Sequence, residues 1–292
     1  MKLVKRLLEV PPKDWGRKVQ AKLGLRRTDI PEVEDILGSR KHIRPQRHYD
    51  FLSRYEAILS ANCSWEPIRF DGKRVIEMGS GPVLGWASMG VFLGCEEYFC
   101  VDPYFNPEIL EAPAYKDAYL LNVYKDLSAL YGQRMTFEKF LSRMDERVVI
   151  IREVLLESNL KGKFDLALSN SCFEHVFPLE ETIVRLHELT APGGRFLHLV
   201  DFGNHQGTKS PFEGLYTVTP EERFAKNGRL VNLARGKDVL RIFKEAGFEA
   251  VLVPYCPFPE FYNETPIPYW TERYTAEELF LKTALIAGPV SG

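Results

Sequence analysis

From residue 71 onward, short runs of β-branched and apolar residues alternate with stretches of helical periodicity, and this constrains the fold more than any other feature of the chain. A strand that must wait for a helix before the next strand cannot close a hairpin. It returns in the same direction, which builds a parallel sheet with helices on its faces. The pattern predicts strands at Arg74–Glu77, Tyr98–Val101, Val148–Ile151, Asp165–Leu168, Arg195–Val200, Ala250–Val253 and Leu281–Ala287. Helical stretches fall near Trp86–Leu93, Ala114–Leu130, Leu179–Leu189 and Lys237–Ala246. No internal repeat or low-complexity tract interrupts the pattern.

With 292 residues, 45% of them hydrophobic and 27% charged, the chain can bury a core that needs no staples. Five scattered cysteines (Cys63, Cys95, Cys100, Cys172, Cys256), odd in number and without a CxxC pair, fit free thiols in a reducing compartment. They argue against a disulfide frame or a zinc knuckle, and no metal site is expected. A formal charge of −2 argues against a surface built for duplex nucleic acid. No run of about 18 apolar residues could span a membrane. The opening MKLVKRLLEVPP lacks the long apolar segment and cleavage site of a signal peptide, so a cytoplasmic location is expected.

Charge is unevenly placed. Residues 1–28 hold nine Lys and Arg against Glu9 and Asp14, with Leu3, Val4, Leu7, Leu8 and Val10 at helical spacing. Such a helix can lie weakly on an anionic membrane surface, or it can be a solvated helix packed on its own domain or a subunit partner. Arg40, Lys41, His42, Arg44, Arg47 and His48 precede an amphipathic stretch, Tyr49–Leu59. They can meet a phosphate or carboxylate, or form the solvated start of a helix.

The residues that carry chemistry sit at strand ends. The first strand runs Val75-Ile76-Glu77-Met78-Gly79-Ser80-Gly81-Pro82. Its glycines let the backbone turn tightly and approach a ligand. A dinucleotide fingerprint wants a third glycine at position 84, but Leu84 stands there and glycine follows at Gly85. Glu77 would repel a pyrophosphate, whereas it can accept from the amino group of a zwitterionic ligand. The second strand ends in Asp102-Pro103, where the carboxylate can take a ribose diol or simply form a turn. A later strand runs from Asp165 into Ser169-Asn170-Ser171-Cys172-Phe173-Glu174-His175, and Pro192-Gly193-Gly194 turns into the next.

This ordered set, Glu77-x-Gly79-x-Gly81, Asp102, the Asp165–His175 segment and Pro192-Gly193-Gly194, resembles the class I S-adenosylmethionine-dependent methyltransferases over roughly residues 72–287. The resemblance implies an α/β, Rossmann-like, seven-stranded, mostly parallel sheet with an antiparallel C-terminal hairpin, behind a helical N-terminal cap. Residues 1–70 would form the basic cap. Residues 71–292 would form the methyltransferase domain, with insertions near 105–145, 206–236 and 255–278. Gly79, Ser80 and Gly81 would line the amino-acid portion of S-adenosylmethionine, with Glu77 near it and Asp102 on the ribose hydroxyls. Asn170 and Ser171 would lie beneath the methionine part, and Glu153 is a candidate acid near adenine.

Methyl transfer is an in-line displacement, so alignment supplies much of the rate, and an oxygen acceptor also needs a base. His175 follows the cofactor segment, and the next strand reads His198-Leu199-Val200-Asp201-Phe202-Gly203-Asn204-His205. With Pro192-Gly193-Gly194 upstream, this looks more loosely like bacterial methyltransferases of glycans and secondary metabolites. Alternation places His198 inside the strand and puts Asp201 and His205 at its mouth, where Asp201 would orient His205 as a base. The same groups can merely pack, or bind a divalent metal. Seven aromatics in Tyr255–Tyr274 (Tyr255, Phe258, Phe261, Tyr262, Tyr269, Trp270, Tyr274), stiffened by four prolines, resemble a lid or sugar-stacking platform, or else pack on their own domain.

The expected activity is methyl transfer to a hydroxyl of a sugar, glycan intermediate or small metabolite. N-methylation of a small amine and a non-catalytic cofactor-binding partner protein stay open. An NAD-linked oxidoreductase is disfavoured by the broken glycine pattern. A nucleic-acid methyltransferase is disfavoured by the charge and by Asn170-Ser171-Cys172-Phe173, which is not the Pro-Pro-aromatic pattern of base aminomethylation.

Overall fold

The computed structural model describes residues 30–39, 43–44, 46–205, 208, 210–261 and 265–291. The basic segment 1–28 and its proposed membrane contact, together with Arg40, Lys41, His42 and Tyr262, lie outside the described residues. Seven strands form one sheet in the order β3-β2-β1-β4-β5-β7-β6. They are β1 (Arg74–Met78), β2 (Glu97–Val101), β3 (Val148–Ile151), β4 (Phe164–Asn170), β5 (Thr190–Asp201), β6 (Val251–Pro257) and β7 (Leu281–Pro289). The pairings from β3 through β5 are parallel. β7 runs antiparallel to both β5 and β6. This is the expected sheet with its antiparallel ending.

Strands covered on both faces read as continuous apolar runs, and alternation divides their residues between two cores. Val75, Leu166, Leu168 and Leu197 face one cluster, which also takes α1 (Val33–Gly38), α2 (Gln46–Asn62) and α3 (Ala87–Phe92). Ile76, Ala167, Phe196 and Ile286 face the other, closed by α6 (Leu179–Leu189) and α8 (Gly236–Glu245). In α2, Tyr49, Leu52, Tyr55 and Leu59 are buried at helical spacing, so this helix packs into the core of the sheet.

The segment near 105–145 is helical, in more pieces than periodicity suggested. A π-helical turn over Ala114–Leu120, with Tyr115 and Tyr119 stacked at 5.4 Å, runs into α4 (Leu121–Tyr131). A further helix, α5 (Phe137–Arg147), starts where the Thr136 hydroxyl accepts from Lys139 N, and it buries Phe140 and Met144 one turn apart. β5 begins at Thr190, before the expected turn at Pro192-Gly193-Gly194. The reason is backbone pairing: Gly193 N donates to Val290 O, and Val290 N donates to Gly194 O.

Much of the aromatic stretch after β6 packs on its own domain, one of the two alternatives open from the sequence. Trp270, on the one-turn α9 (Pro268–Thr271), is 1% exposed, and Phe258, Phe261, Tyr269 and Tyr274 pack against the cluster that holds it. Phe212, Leu215 and Tyr216 of the 206–236 segment, which also contains α7 (Pro220–Asn227), complete this third core with Phe280, just past α10 (Ala276–Leu279). Arg235 ties it to the sheet: its guanidinium, in a residue 2% exposed, donates to Phe202 O and to the Tyr216 hydroxyl. No helix among the described residues is long and apolar enough to cross a membrane.

Candidate active site

The carboxyl ends of β1, β2, β4 and β5 converge, and they carry the residues singled out from the sequence. At the end of β1 the backbone turns through Gly79 (φ +65°) and Gly81 (φ +69°). A Cβ on Gly79 would lie 2.8 Å from Cys172 Cβ and Sγ, so glycine is what lets the segment after β4 close on this turn. Ser80 between them is buried.

Glu77 is largely engaged by the protein itself. It is 2% exposed, and Oε2 accepts from the Tyr98 hydroxyl at 2.6 Å and Trp86 N at 3.0 Å. Both donors come from the protein and both meet Oε2, so that oxygen braces the turn from below. The displaced third glycine now has a reason. Gly85 (φ +47°) faces this carboxylate, and a Cβ there would sit 2.0 Å from Oε1. Burial pushes the Glu77 carboxyl up to about 7, against the pull of the Tyr98 and Trp86 hydrogen bonds. The folded state therefore holds the proton more tightly than the unfolded chain. That contribution is complete below about pH 4.5 and disappears as the pH rises through 7, a change of roughly 3 kcal/mol. Glu77→Gln keeps an acceptor for both donors and carries no charge. Denaturant unfolding from pH 5 to 8 should show wild type losing stability relative to the variant, and parallel curves would contradict the assignment.

Asp102, just after β2, holds the two loops together. Its Oδ2 accepts from Gly81 N at 2.7 Å and its Oδ1 from Tyr104 N at 2.9 Å. Burial raises its carboxyl above the ordinary value despite both bonds. Each oxygen retains a second lone pair for a ligand hydroxyl. Glu153, the candidate near adenine, is exposed two residues beyond β3.

At the end of β4, Asn170 Oδ1 accepts from the Tyr55 hydroxyl at 2.7 Å. Ser171 follows in the left-handed region (φ +56°), its N–H donating to Leu199 O. Tyr55 comes from α2, packs edge-on against Tyr255 and Trp86, and is 1% exposed. No sequence signal pointed to it, because 115 residues separate it from Asn170.

Beyond β4, a short 3-10 turn (Phe173–His175) faces the loop after β5. The rings of His175 and His205 meet edge to face, 4.7 Å between centroids. His205 Nε2 is 3.6 Å from Asp201 Oδ1 and 3.9 Å from Glu174 Oε1. His175 Nδ1 donates to Leu230 O at 2.8 Å, and burial lowers its pKa. Asp201 is fixed by Lys282 Nζ at 2.7 Å and by Gly203 N at 2.8 Å. Burial alone would raise its carboxyl, but His205, Lys282 and Gly203 outweigh it and hold it near 2. Asp201 is thus an anion at any working pH. Sequence reading missed Lys282, which β7 brings beside the end of β5, and passed over Glu174, the neighbour of a named histidine.

His198 is separate from this cluster. It is fully buried in β5, its Nδ1 2.9 Å from Ser169 Oγ, with the Phe173 ring 4.8 Å away. A groove of about 420 Å³ lined by Asn232, Asp238, Tyr269, Trp270 and Tyr274 touches neither the glycine turn nor Asp102, so it is not the cleft described above.

The profile of a family described as Methyltransferase domain matches residues 42–253. No curated protein matches the chain. Among solved structures, an S-adenosylmethionine-dependent methyltransferase from Mesorhizobium loti is 15% identical, covering 81% of this chain and 96% of that one, with a TM-score of 0.47. The N-methyltransferase NodS from Bradyrhizobium japonicum WM9 is 12% identical, covering 87% and 99%, with a TM-score of 0.40. Phosphoethanolamine N-methyltransferase 2 from Haemonchus contortus, in complex with S-adenosyl-L-methionine, is 14% identical, covering 89% and 60%, with a TM-score of 0.46. A profile match over most of the chain, joined to a sheet of this order, places the protein in the methyltransferase-domain family.

Proposed function

We propose that the protein transfers the methyl group of S-adenosylmethionine to a hydroxyl of a sugar, glycan intermediate or small metabolite. The observation that carries the oxygen chemistry is the His205–Asp201 pair. An aspartate held anionic by Lys282 faces an imidazole nitrogen at the open end of β5. Its charge orients the ring and stabilises the imidazolium that forms when His205 takes the hydroxyl proton. The acceptor oxygen attacks the methyl carbon in line with sulfur. The C–S bond breaks with its electron pair on sulfur, which leaves S-adenosylhomocysteine.

The glycine turn at Gly79–Gly81 and Asp102 are suited to the amino-acid and ribose portions of the donor. Asn170 and Ser171 are suited to the floor beneath its methionine part, with Tyr55 holding Asn170 in place. His175, in ring contact with His205, borders the acceptor side. Because Trp270 is buried, the acceptor class rests on hydroxyl chemistry and not on aromatic stacking.

The test is a panel of hydroxyl and amine acceptors incubated with S-adenosylmethionine, with products identified by mass spectrometry. O-methylated products support the reading. Methylation confined to amines, or none with any acceptor despite donor binding, counts against it.

A further inference from the structure

Glu174 is 3% exposed and neither oxygen of its carboxylate makes a hydrogen bond of good geometry, and the nearby backbone N–H groups of Glu174 and Asp201 and the Lys282 charge do not outweigh its burial. A carboxyl so buried either keeps its proton, as burial pushes this one up to about 8, or takes a cation in the proton's place. The groups around it are metal ligands. His205 Nε2 lies 3.9 Å from Oε1, and one ligand atom each from Glu174, His175 and His205 lie within 4.8 Å of one another. We propose that Glu174, His175 and His205 form a binding site for one divalent transition-metal cation, with Zn2+ as the best-matched species.

Three features prepare these residues. His175 gives its Nδ1 proton to Leu230 O, which leaves Nε2 as the lone-pair nitrogen. A backbone carbonyl fixing the far ring nitrogen is how proteins commonly orient ligating histidines. The turn that carries Glu174 and His175 is clamped by Asn232, whose Nδ2 donates to Phe173 O and whose backbone N donates to Glu174 O. His205 adopts the left-handed region (φ +53°), a conformation held only when the surroundings impose it. The preceding Asn204 supplies that anchor, with Nδ2 bonded to Thr208 Oγ1 and to Glu213 O.

The donor set decides the class of ion. Two imidazoles and one carboxylate suit Zn2+ and neighbouring transition metals and leave one position open. Mg2+ and Ca2+ prefer oxygen ligands. Ligand atoms about 2.1 Å from a shared ion lie about 3.4 Å apart, so modest rotation of the two histidine rings completes the site.

What the ion does rests on the methyl-transfer reading. Held by Glu174, His175 and His205, the ion would supply Lewis acidity that makes an acceptor hydroxyl easier to deprotonate. His205 is then a ligand, and it serves as base only in the cation-free protein.

The experiment uses the full chain, stripped with EDTA and dialysed. Zn2+ is titrated by calorimetry and Co2+ is followed by visible absorption. Wild type should bind one Zn2+, show Co2+ d–d bands, and melt at higher temperature with Zn2+. Glu174→Gln and His205→Ala should each weaken Zn2+ binding at least 10-fold, while His187→Ala, remote from the site, should not. Zinc-free Glu174→Gln should melt no lower than zinc-free wild type, which separates lost ligation from lost folding. No saturable Zn2+ binding by wild type, or equal affinity in Glu174→Gln and His205→Ala, overturns the proposal. S-adenosylhomocysteine is titrated into the same samples. Zn2+ binding without nucleoside binding upholds the site and sinks the transfer reading, and the reverse sinks the cation alone.

Discussion

His205→Ala should lower methyl transfer by roughly 100- to 10,000-fold while leaving S-adenosylhomocysteine affinity unchanged. The size follows from removing a positioned proton acceptor, and the selectivity follows from place. His205 lies past β5 with Asp201, Glu174 and His175, while the glycine turn and Asp102 belong to the ends of β1 and β2. Steady-state kinetics with the identified acceptor, beside calorimetry of the nucleoside, give both quantities. The loss should appear in kcat. Turnover within a few-fold of wild type would remove His205 from the chemistry. Chelation separates its two roles: if EDTA reduces wild-type turnover as far as His205→Ala does, the imidazole acts through an ion, and if EDTA has no effect it acts as the base.

The second large effect is on stability in acid. Burial drives the His198 pKa down to about 3. The unfolded chain, with an ordinary value near 6.5, takes up the proton first. The stability that neutral His198 contributes is therefore complete above about pH 6.5 and is lost as the pH falls through 3, by roughly 5 kcal/mol over the full window. His198→Gln retains a side-chain partner for Ser169 and has no proton to gain. Urea unfolding at pH 4 and pH 7 should show a much larger loss in wild type than in the variant. Equal losses would mean that His198 is charged or hydrated in the folded protein. The Glu77 slope runs the other way, so near pH 5–6 the two partly offset each other in wild type, and only the single variants isolate them.

The sheet was legible because doubly covered strands leave apolar runs that periodicity detects, and strand ends could be read where an acid or glycine follows such a run. Asp102, Gly79, Gly81 and Asn170 lie at those ends. Glu77 was legible as a strand-end acid but not in its orientation. A period of two cannot show that Tyr98, one strand away, would offer its hydroxyl. Tyr55 and Lys282 were hidden for another reason. Their partners, Asn170 and Asp201, are 115 and 81 residues distant, and only the packing of α2 and the pairing of β7 bring them close. For the aromatic stretch after β6 the sequence left a platform and packing on its own domain both open, because composition reports stacking capacity without its direction. Phe212 and Tyr216, from a segment some fifty residues earlier, take up its apolar surface.

The proposed seat of S-adenosylmethionine is the cleft at the ends of β1, β2 and β4. Its most direct test is calorimetric titration of wild type and Asp102→Ala with S-adenosylhomocysteine. Wild type should bind saturably, with a weakening of about 1–3 kcal/mol in the variant, roughly 5- to 150-fold, as a charge-assisted hydrogen bond to the ribose is lost. Absence of binding to wild type, or the same affinity in Asp102→Ala, would contradict it.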